Sequence, residues 1–309
     1  GSHETSVFVR CDGETVYFDG NVSKWGRPDN VFGYRFLDCL RIVNSLLQSL
    51  GLPPFTEGEK YQTHNQRGEV KTCWTGAVVT RLDITRNFSV GGKENAYWFM
   101  RWLHGQQASR LKTGTYGDGE TVDFGRGSRR VYAKAYLKGP ELRKHATRAI
   151  PDIDSITKPE VDPYIIKLAD WCDEIGLVRF EMTLKSTKLH SMNCNYLGSL
   201  DMKQIEREFE NRAEVLSRAD ASVDEMTDLP KPLLATYRMW QAGDDITSKL
   251  SRATFFRHRR ELLHYGVDIA IKSNVVPFRA PTRVIKLGPV SMPDFYELPS
   301  PDRKIAVNF

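Results

Sequence analysis

The sequence predicts an α+β fold in which a largely antiparallel central sheet is flanked by helices, with a helix-turn-helix-like segment toward the C-terminus. Three observations predict it. Runs at 77–85, 131–138 and 177–185 alternate apolar and polar residues, the period that gives a strand one buried and one polar face. Stretches near 36–50, 163–175 and 201–218 repeat apolar residues every three or four positions, as amphipathic helices do. Asp12-Gly13, a pair favoured in two-residue hairpin turns, joins two short alternating runs.

The 309 residues suffice for one large domain or two modest ones, and a chain of this size buries roughly three quarters of its unfolded surface. A content of 40% hydrophobic and 27% charged residues is that of an ordinary soluble globular protein. No apolar run nears the roughly 18 residues of a membrane span, and no signal peptide is discernible. Gly1-Ser2-His3 reads either as the remnant of a removed tag or as native sequence. The five cysteines are widely spaced with no C-x-x-C pair, which speaks against a disulfide framework or zinc knuckle and for a reducing, cytoplasmic compartment. A net charge of +5 favours a polyanionic partner. Basic residues gather at 126–148 and 249–260, acids at 152–162 and 220–228.

Taken in order, residues 5–19 form a hairpin, and a polar loop leads to a helix near 36–50 with Leu37, Leu40, Val43, Leu47 and Leu50 on one stripe, stopped by Gly51 and Pro53-Pro54. The strand over 77–85 turns Val78, Thr80, Leu82 and Ile84 one way and Val79, Arg81, Asp83 and Thr85 the other. An aromatic-rich helix near 94–104 precedes a Gly-rich stretch, 105–127, read as a long loop or irregular hairpin beside the next strand. That strand, 131–138, sets Val131, Ala133, Ala135 and Leu137 against Tyr132, Lys134, Tyr136 and Lys138. After a basic tail at 143–148 and an acidic linker at 151–163, Pro163 opens a helix that Gly176 ends. The strand over 177–185 buries Val178, Phe180, Met182 and Leu184 opposite Leu177, Arg179, Glu181, Thr183 and Lys185. Beyond the helix at 201–218, an acidic Pro-containing stretch, 219–232, marks a boundary between an N-terminal region, 1–218, and a C-terminal region, 219–309. The latter holds a helix over 245–250, a short turn, a basic helix over 252–264, and an extended Pro-rich tail in which no chemistry is evident.

If the three alternating strands are neighbours, their polar faces combine two carboxylates, a tyrosine and several cations. A phenol attacks a phosphate well only when positive charge stabilises its oxyanion, and Lys134 and Lys138 lie two positions either side of Tyr136. Asp83 and Glu181, with water and a phosphate oxygen, suit a hard divalent ion such as Mg²⁺ or Mn²⁺. Arg129, Arg130, Arg252, Arg257, Arg259 and Arg260 are candidates for DNA contact. Two plainer readings stand beside these: a solvated strand face with amphipathic tyrosines, and an Arg81–Asp83 ion pair on an exposed sheet. Tyr116 and Tyr132 remain alternative nucleophiles.

The segments NVFG at 30–33, VTRLDIT at 79–85, SRRVYAKAYLKGPEL at 128–142, LVRFEMTLK at 177–185 and NVVP at 274–277 resemble the filamentous-phage replication initiators of the gene II protein family, and more distantly staphylococcal plasmid rolling-circle initiators. The resemblance implies nicking of one strand of a double-stranded phage or plasmid origin, a 5′-phosphotyrosine intermediate, and rejoining of the displaced single-stranded circle; the metal dependence rests on the carboxylate chemistry above. It places the nucleophile on Tyr136, the motif lysine on Lys138 and the motif acids on Asp83 and Glu181, with Lys134 and Arg179 beside them. It further implies host helicase and DNA polymerase as partners, the bacterial cytoplasm as location, and no membrane. The family usually carries several dozen further residues, including an apolar strand, before the part matched here, so the first strand of the sheet is expected to lie outside this sequence unless its relatives differ. No His-x-His pair is present; a third metal ligand is unassigned, with Glu94 a weak candidate. The rival functions are a non-catalytic origin-binding repressor and a nuclease that activates water.

Overall fold

A computed structural model describes residues 6–64, 66–105, 113–116, 119–146, 162–217, 223–224, 229–263, 267–270, 282–283 and 285–302. Strands β1 (Val7–Cys11) and β2 (Val16–Gly20) form the predicted hairpin. At its turn the Asp12 carboxylate accepts from the backbone N–H of Glu14 and Thr15, and Gly13 takes φ +96°. Helix α1 (Phe36–Ser49) buries Ile42, Val43, Leu46 and Leu47. The buried stripe is thus rotated from the predicted one, and Leu37 is exposed. A second hairpin, β3 (Lys60–His64) with β4 (Val70–Trp74), was not anticipated; nearly all of it is exposed, so no apolar alternation announces it.

The centre of the molecule is a five-stranded sheet. It comprises β5 (Arg81–Ser89), β6 (Thr113–Tyr116), β7 (Thr121–Phe124), β8 (Val131–Leu137) and β9 (Leu177–Lys185) in the order β5-β9-β8-β7-β6, with every neighbouring pair antiparallel. The fold is α+β, as the sequence predicts. The three alternating runs are adjacent strands, and the Gly-rich stretch supplies a hairpin, β6–β7, beside them. β5 lies later than predicted, 81–89 in place of 77–85, because Arg86, Asn87, Phe88 and Ser89 stay paired with β9.

One face of the sheet is the main core. Val122, Phe124, Val131, Ala133, Ala135, Leu137, Val178, Phe180, Met182 and Leu184 meet α2 (Lys93–Gly105) and α6 (Met202–Ser217) through Phe99, Met100, Leu103, Ile205, Phe209 and Leu216. Burying such side chains supplies about 1.5–3 kcal/mol each.

Lys138 departs from its predicted place on the strand: it opens helix α3 (Lys138–Ala146). Pro140 fits the first turn of that helix. Part of the predicted basic tail therefore belongs to α3, whereas 147–161 lie outside the described residues. Helix α4 (Pro163–Glu174) packs tightly on α3, since a Cβ on Gly139 would stand 2.1 Å from Asp173 Oδ1. The short helices α5 (Ser186–Ser191) and 197–199 connect β9 to α6.

Past the two-residue strand β10 (Val223–Asp224), which pairs with β11 (Thr282–Arg283), lie α7 (Lys231–Gln241), α8 (Ile246–Lys249) and α9 (Arg252–Leu263). They enclose a separate apolar cluster of Leu233, Tyr237, Trp240, Ile246, Phe255 and Leu262. The predicted first helix of a helix-turn-helix, 245–250, is a single turn, and α9 packs instead on the unanticipated α7, where Thr236 meets His258 at 2.8 Å. Residues 285–302, which the sequence assigns to the C-terminal region, return to the sheet: Ile285 enters the main core and Gly288 bridges Ser89.

Candidate active site

The second face of the sheet is polar, and the strand register arranges it in rows. Asp83, Thr183 and Tyr132 form one; Thr85, Glu181, Lys134 and Asp123 the next; Asn87, Arg179, Tyr136 and Thr121 the third. Directly opposed residues share a face, so the odd positions of β5 and β9 and the even positions of β8 converge here.

Glu181 is the hub. Its Oε1 accepts from the Tyr136 hydroxyl at 2.7 Å and from Arg179 Nε at 3.1 Å, and its Oε2 lies 2.8 Å from Lys134 Nζ. Burial pushes the Glu181 carboxyl up, but Arg179 and Lys134 outweigh it and hold the group below its ordinary range. Tyr136 is 7% exposed, and burial, with Glu181 and Glu141 adding to it against Arg179, holds its phenol well above its ordinary 10. The ammonium groups of Lys134 and Lys138 stand 4.8 and 5.8 Å from the centroid of its ring.

A strap of chain between β2 and α1 fixes this cluster from above. Arg179 Nη1 donates to the carbonyls of Asn30 at 2.6 Å and Val31 at 3.2 Å, and Asn87 donates to the Val31 carbonyl. Lys138, fully buried, donates to Asn30 Oδ1 at 2.7 Å and to Glu141 at 2.6 Å. The strap is itself held by a buried knot: Tyr296 donates to Asp29 at 2.8 Å and accepts from Arg27 at 2.6 Å, while Tyr164 also reaches Asp29. Asn30 lies in the NVFG motif, but its role was not legible, and Arg27, Asp29, Tyr296 and the buried Asp123 were not singled out in the sequence, because the contacts that tie the strap to the sheet and to Tyr296 lie more than a hundred residues apart.

Two family models match the chain: the N-terminal part of the phage replication-associated protein known as gene II protein, over residues 1–208, and the C-terminal part of the same protein, over residues 223–301. The chain belongs to the gene II protein family. It is 29% identical to the replication-associated protein of this family from Enterobacteria phage I2-2, over 96% of this chain and 85% of that protein. It is 26% identical to the corresponding replication-associated protein of Escherichia phage If1, over 95% and 98% respectively. No solved structure matches. The family places the chain in phage DNA replication, in agreement with the resemblance read from its motifs. Among the described residues no helix is long and apolar enough to cross a membrane.

In this member of the gene II protein family the predicted Tyr136, Lys134, Arg179 and Glu181 are brought together, and Lys138 lies behind Tyr136. Asp83 is on the same face but one row away, half-exposed, paired with Arg81 at 2.9 Å and accepting from Thr183 at 2.6 Å. Glu94 is exposed on α2, the helix that covers the opposite face. Tyr132 occupies the outer row, its hydroxyl raised chiefly by burial. The backbone of Tyr116 pairs with Thr121 in the row of Tyr136, and its side chain lies outside the described residues. Arg130 donates to Ser191 at one end of the sheet, with Arg129 exposed beside it. On α9, Arg252, Arg257 and Arg260 are exposed next to an exposed Phe256, but both arms of the Arg259 fork are taken by Asp268 at 2.6 and 2.7 Å.

Among the described residues no three His, Cys, Asp or Glu side chains gather. The face nevertheless fits an oxygen-seeking ion, since Asp123 Oδ1 is buried with no hydrogen-bond partner in the row of Glu181.

The same charges predict an acid limit to stability. Glu141 behaves like Glu181, with Lys138 and His145 outweighing burial. Both folded-state values lie below the ordinary 4.5. The stability they contribute is therefore full above that pH and lost as pH falls through the folded values. Urea midpoints followed from neutral to acid pH are expected to drop below pH 4.5, and to drop less steeply in Glu141→Gln.

Proposed function

We propose that the chain initiates rolling-circle replication by nicking one strand of a double-stranded origin, retaining the 5′ phosphate on Tyr136 and later rejoining the displaced circle. The observation that carries this reading is the hydrogen bond from the Tyr136 hydroxyl to Glu181, with Arg179 and Lys134 on the same carboxylate. It joins a nucleophile, a proton acceptor and two cations in one contact shell.

In the nicking step Tyr136 Oη bonds to phosphorus while its proton passes to Glu181; the bond from phosphorus to the 3′ oxygen breaks, and that oxygen leaves and takes up a proton. Because burial keeps the phenol protonated at rest, deprotonation is coupled to the arrival of phosphate. Arg179 and Lys134 offset the charge that grows on the phosphoryl oxygens. Lys138, whose ammonium is occupied by Asn30 and Glu141, positions α3 and the strap and adds its field behind the ring. Glu181 and a second carboxylate of this face, Asp83 on the expectation from the sequence, would hold a divalent cation, Mg²⁺ or Mn²⁺, which would polarise the scissile phosphate. The phosphotyrosine bond preserves the energy of the phosphodiester, so a 3′ hydroxyl rejoins the strand without ATP.

The C-terminal region is proposed to hold the origin duplex through α9. Each contact between an arginine and a phosphate contributes about 0.9 to the slope of log affinity against log salt. Replacing Arg252, Arg257 or Arg260 by alanine is accordingly expected to reduce the slope by about 1 apiece. Arg259→Ala, which breaks the fork with Asp268, is expected to lower thermal stability and leave the slope unchanged.

The burial of Tyr136 favours one rival, an origin-binding repressor in which this tyrosine is structural. The deciding experiment incubates the protein with Mg²⁺ and end-labelled single-stranded origin DNA, followed by denaturing electrophoresis and peptide mapping. A protein–DNA adduct mapped to Tyr136 is the expected result. Cleavage without adduct would mean water is the nucleophile, and duplex binding without cleavage would favour the repressor.

A further inference from the structure

Asp123, in β7, is 1% exposed and its Oδ1 has no hydrogen-bond partner. Leaving a buried carboxylate oxygen unsatisfied is costly, so such an atom calls for an occupant. The register sets Asp123 opposite Lys134, and Lys134 opposite Glu181. Opposed residues share a face, so Lys134 is placed in the row between two acids; its ammonium is bound to Glu181 at 2.8 Å and leaves Asp123 Oδ1 unpartnered.

The spacing suits a small cation. Strands two apart are separated by about 9.5 Å, a gap that an Asp and a Glu side chain leaning inward close with two metal–oxygen bonds of about 2.1 Å. Asp83 differs on every count, being half-exposed and already engaged by Arg81 and Thr183.

We propose that Asp123 and Glu181 bracket a divalent-cation site, in which the Lys134 ammonium serves as an internal cation until a metal ion displaces it. The inference rests on the metal-dependent reading above and changes its second ligand from Asp83 to Asp123.

The test is Mn²⁺ binding to the full chain without DNA, read by the loss of the free-ion signal in electron paramagnetic resonance. Wild type is expected to bind; Asp123→Asn is expected to weaken binding by at least about tenfold, and Asp83→Asn to leave it unchanged. Lys134→Gln, which removes the competing ammonium, is expected to tighten binding severalfold. A protein that had merely lost its fold would not gain affinity, so this arm holds even if Asp123→Asn folds poorly. The proposal is overturned if wild type binds no Mn²⁺, if Asp123→Asn binds as wild type does, or if Lys134→Gln binds no more tightly. Tyr136→Phe is expected to bind Mn²⁺ normally while forming no adduct. An adduct at Tyr136 together with undiminished binding by Asp123→Asn would refute this ligand and leave the covalent reading intact.

Discussion

Tyr136→Phe is expected to abolish the covalent DNA adduct and to slow strand cleavage by at least about 10⁴-fold, the scale on which enzymes lose rate when a nucleophile is removed. The substitution is clean in this setting. It deletes one hydroxyl, and Glu181 keeps its contacts with Arg179 and Lys134, so the cost to stability is on the order of 1 kcal/mol. The aromatic ring, with the two lysines beside it, stays in place. Single-turnover cleavage of labelled origin DNA, with urea unfolding in parallel, separates loss of chemistry from loss of fold. Cleavage at an undiminished rate in this variant would sink the tyrosine mechanism.

Lys138→Met is expected to act on stability at a comparable scale. Its ammonium is fully buried between Asn30 and Glu141. Truncating one partner of such a pair strands the other and typically costs about 3–5 kcal/mol. Since Glu141 retains some exposure and a contact with His145, the lower end is expected. The urea midpoint should fall accordingly, and adding Glu141→Gln should restore on the order of 1–3 kcal/mol by removing the stranded charge. If the double variant were no more stable than the single one, the loss would stem from the Asn30 contact and the strap.

The pattern of two made the heart of the fold legible. In β8 and β9 it named the residues of the core face and put Tyr136, Lys134, Arg179 and Glu181 together on the other, though it missed that Leu177, Arg179 and Tyr136 are buried as well; the register then did what sequence alone does not, setting Glu181 beside Tyr136, Lys134 and Arg179. Lys138 misled because it continues the alternation, whereas Gly139-Pro140 marks the chain's turn into a helix packed on α4. Asp123 was hidden in a stretch whose few apolar residues are too sparse to declare a strand. The roles of Asn30 and Tyr296 were hidden for another reason: NVFG at 30–33 stood out as a motif, but its contacts, like those of Tyr296, are made at great sequence separation, and neither segment has a periodicity to read. The C-terminal helices show the limit of local signals. The basic run at 252–264 was visible, but its packing partner α7 was not, although Pro232 suits the first turn of that helix.

The knot around Asp29 joins positions 267 residues apart. A ribosome synthesising this chain releases Tyr136, Arg179 and Glu181 long before Tyr296 emerges. Until then the strap carrying Asn30 and Val31 is held by the sheet, Lys138 and Tyr164 but lacks the Tyr296 hydroxyl that ties Asp29 to Arg27. Completion of the site therefore waits for the segment that carries Tyr296: a nascent chain can hold its core sheet and still lack this part of the latch over the guanidinium beside the tyrosine.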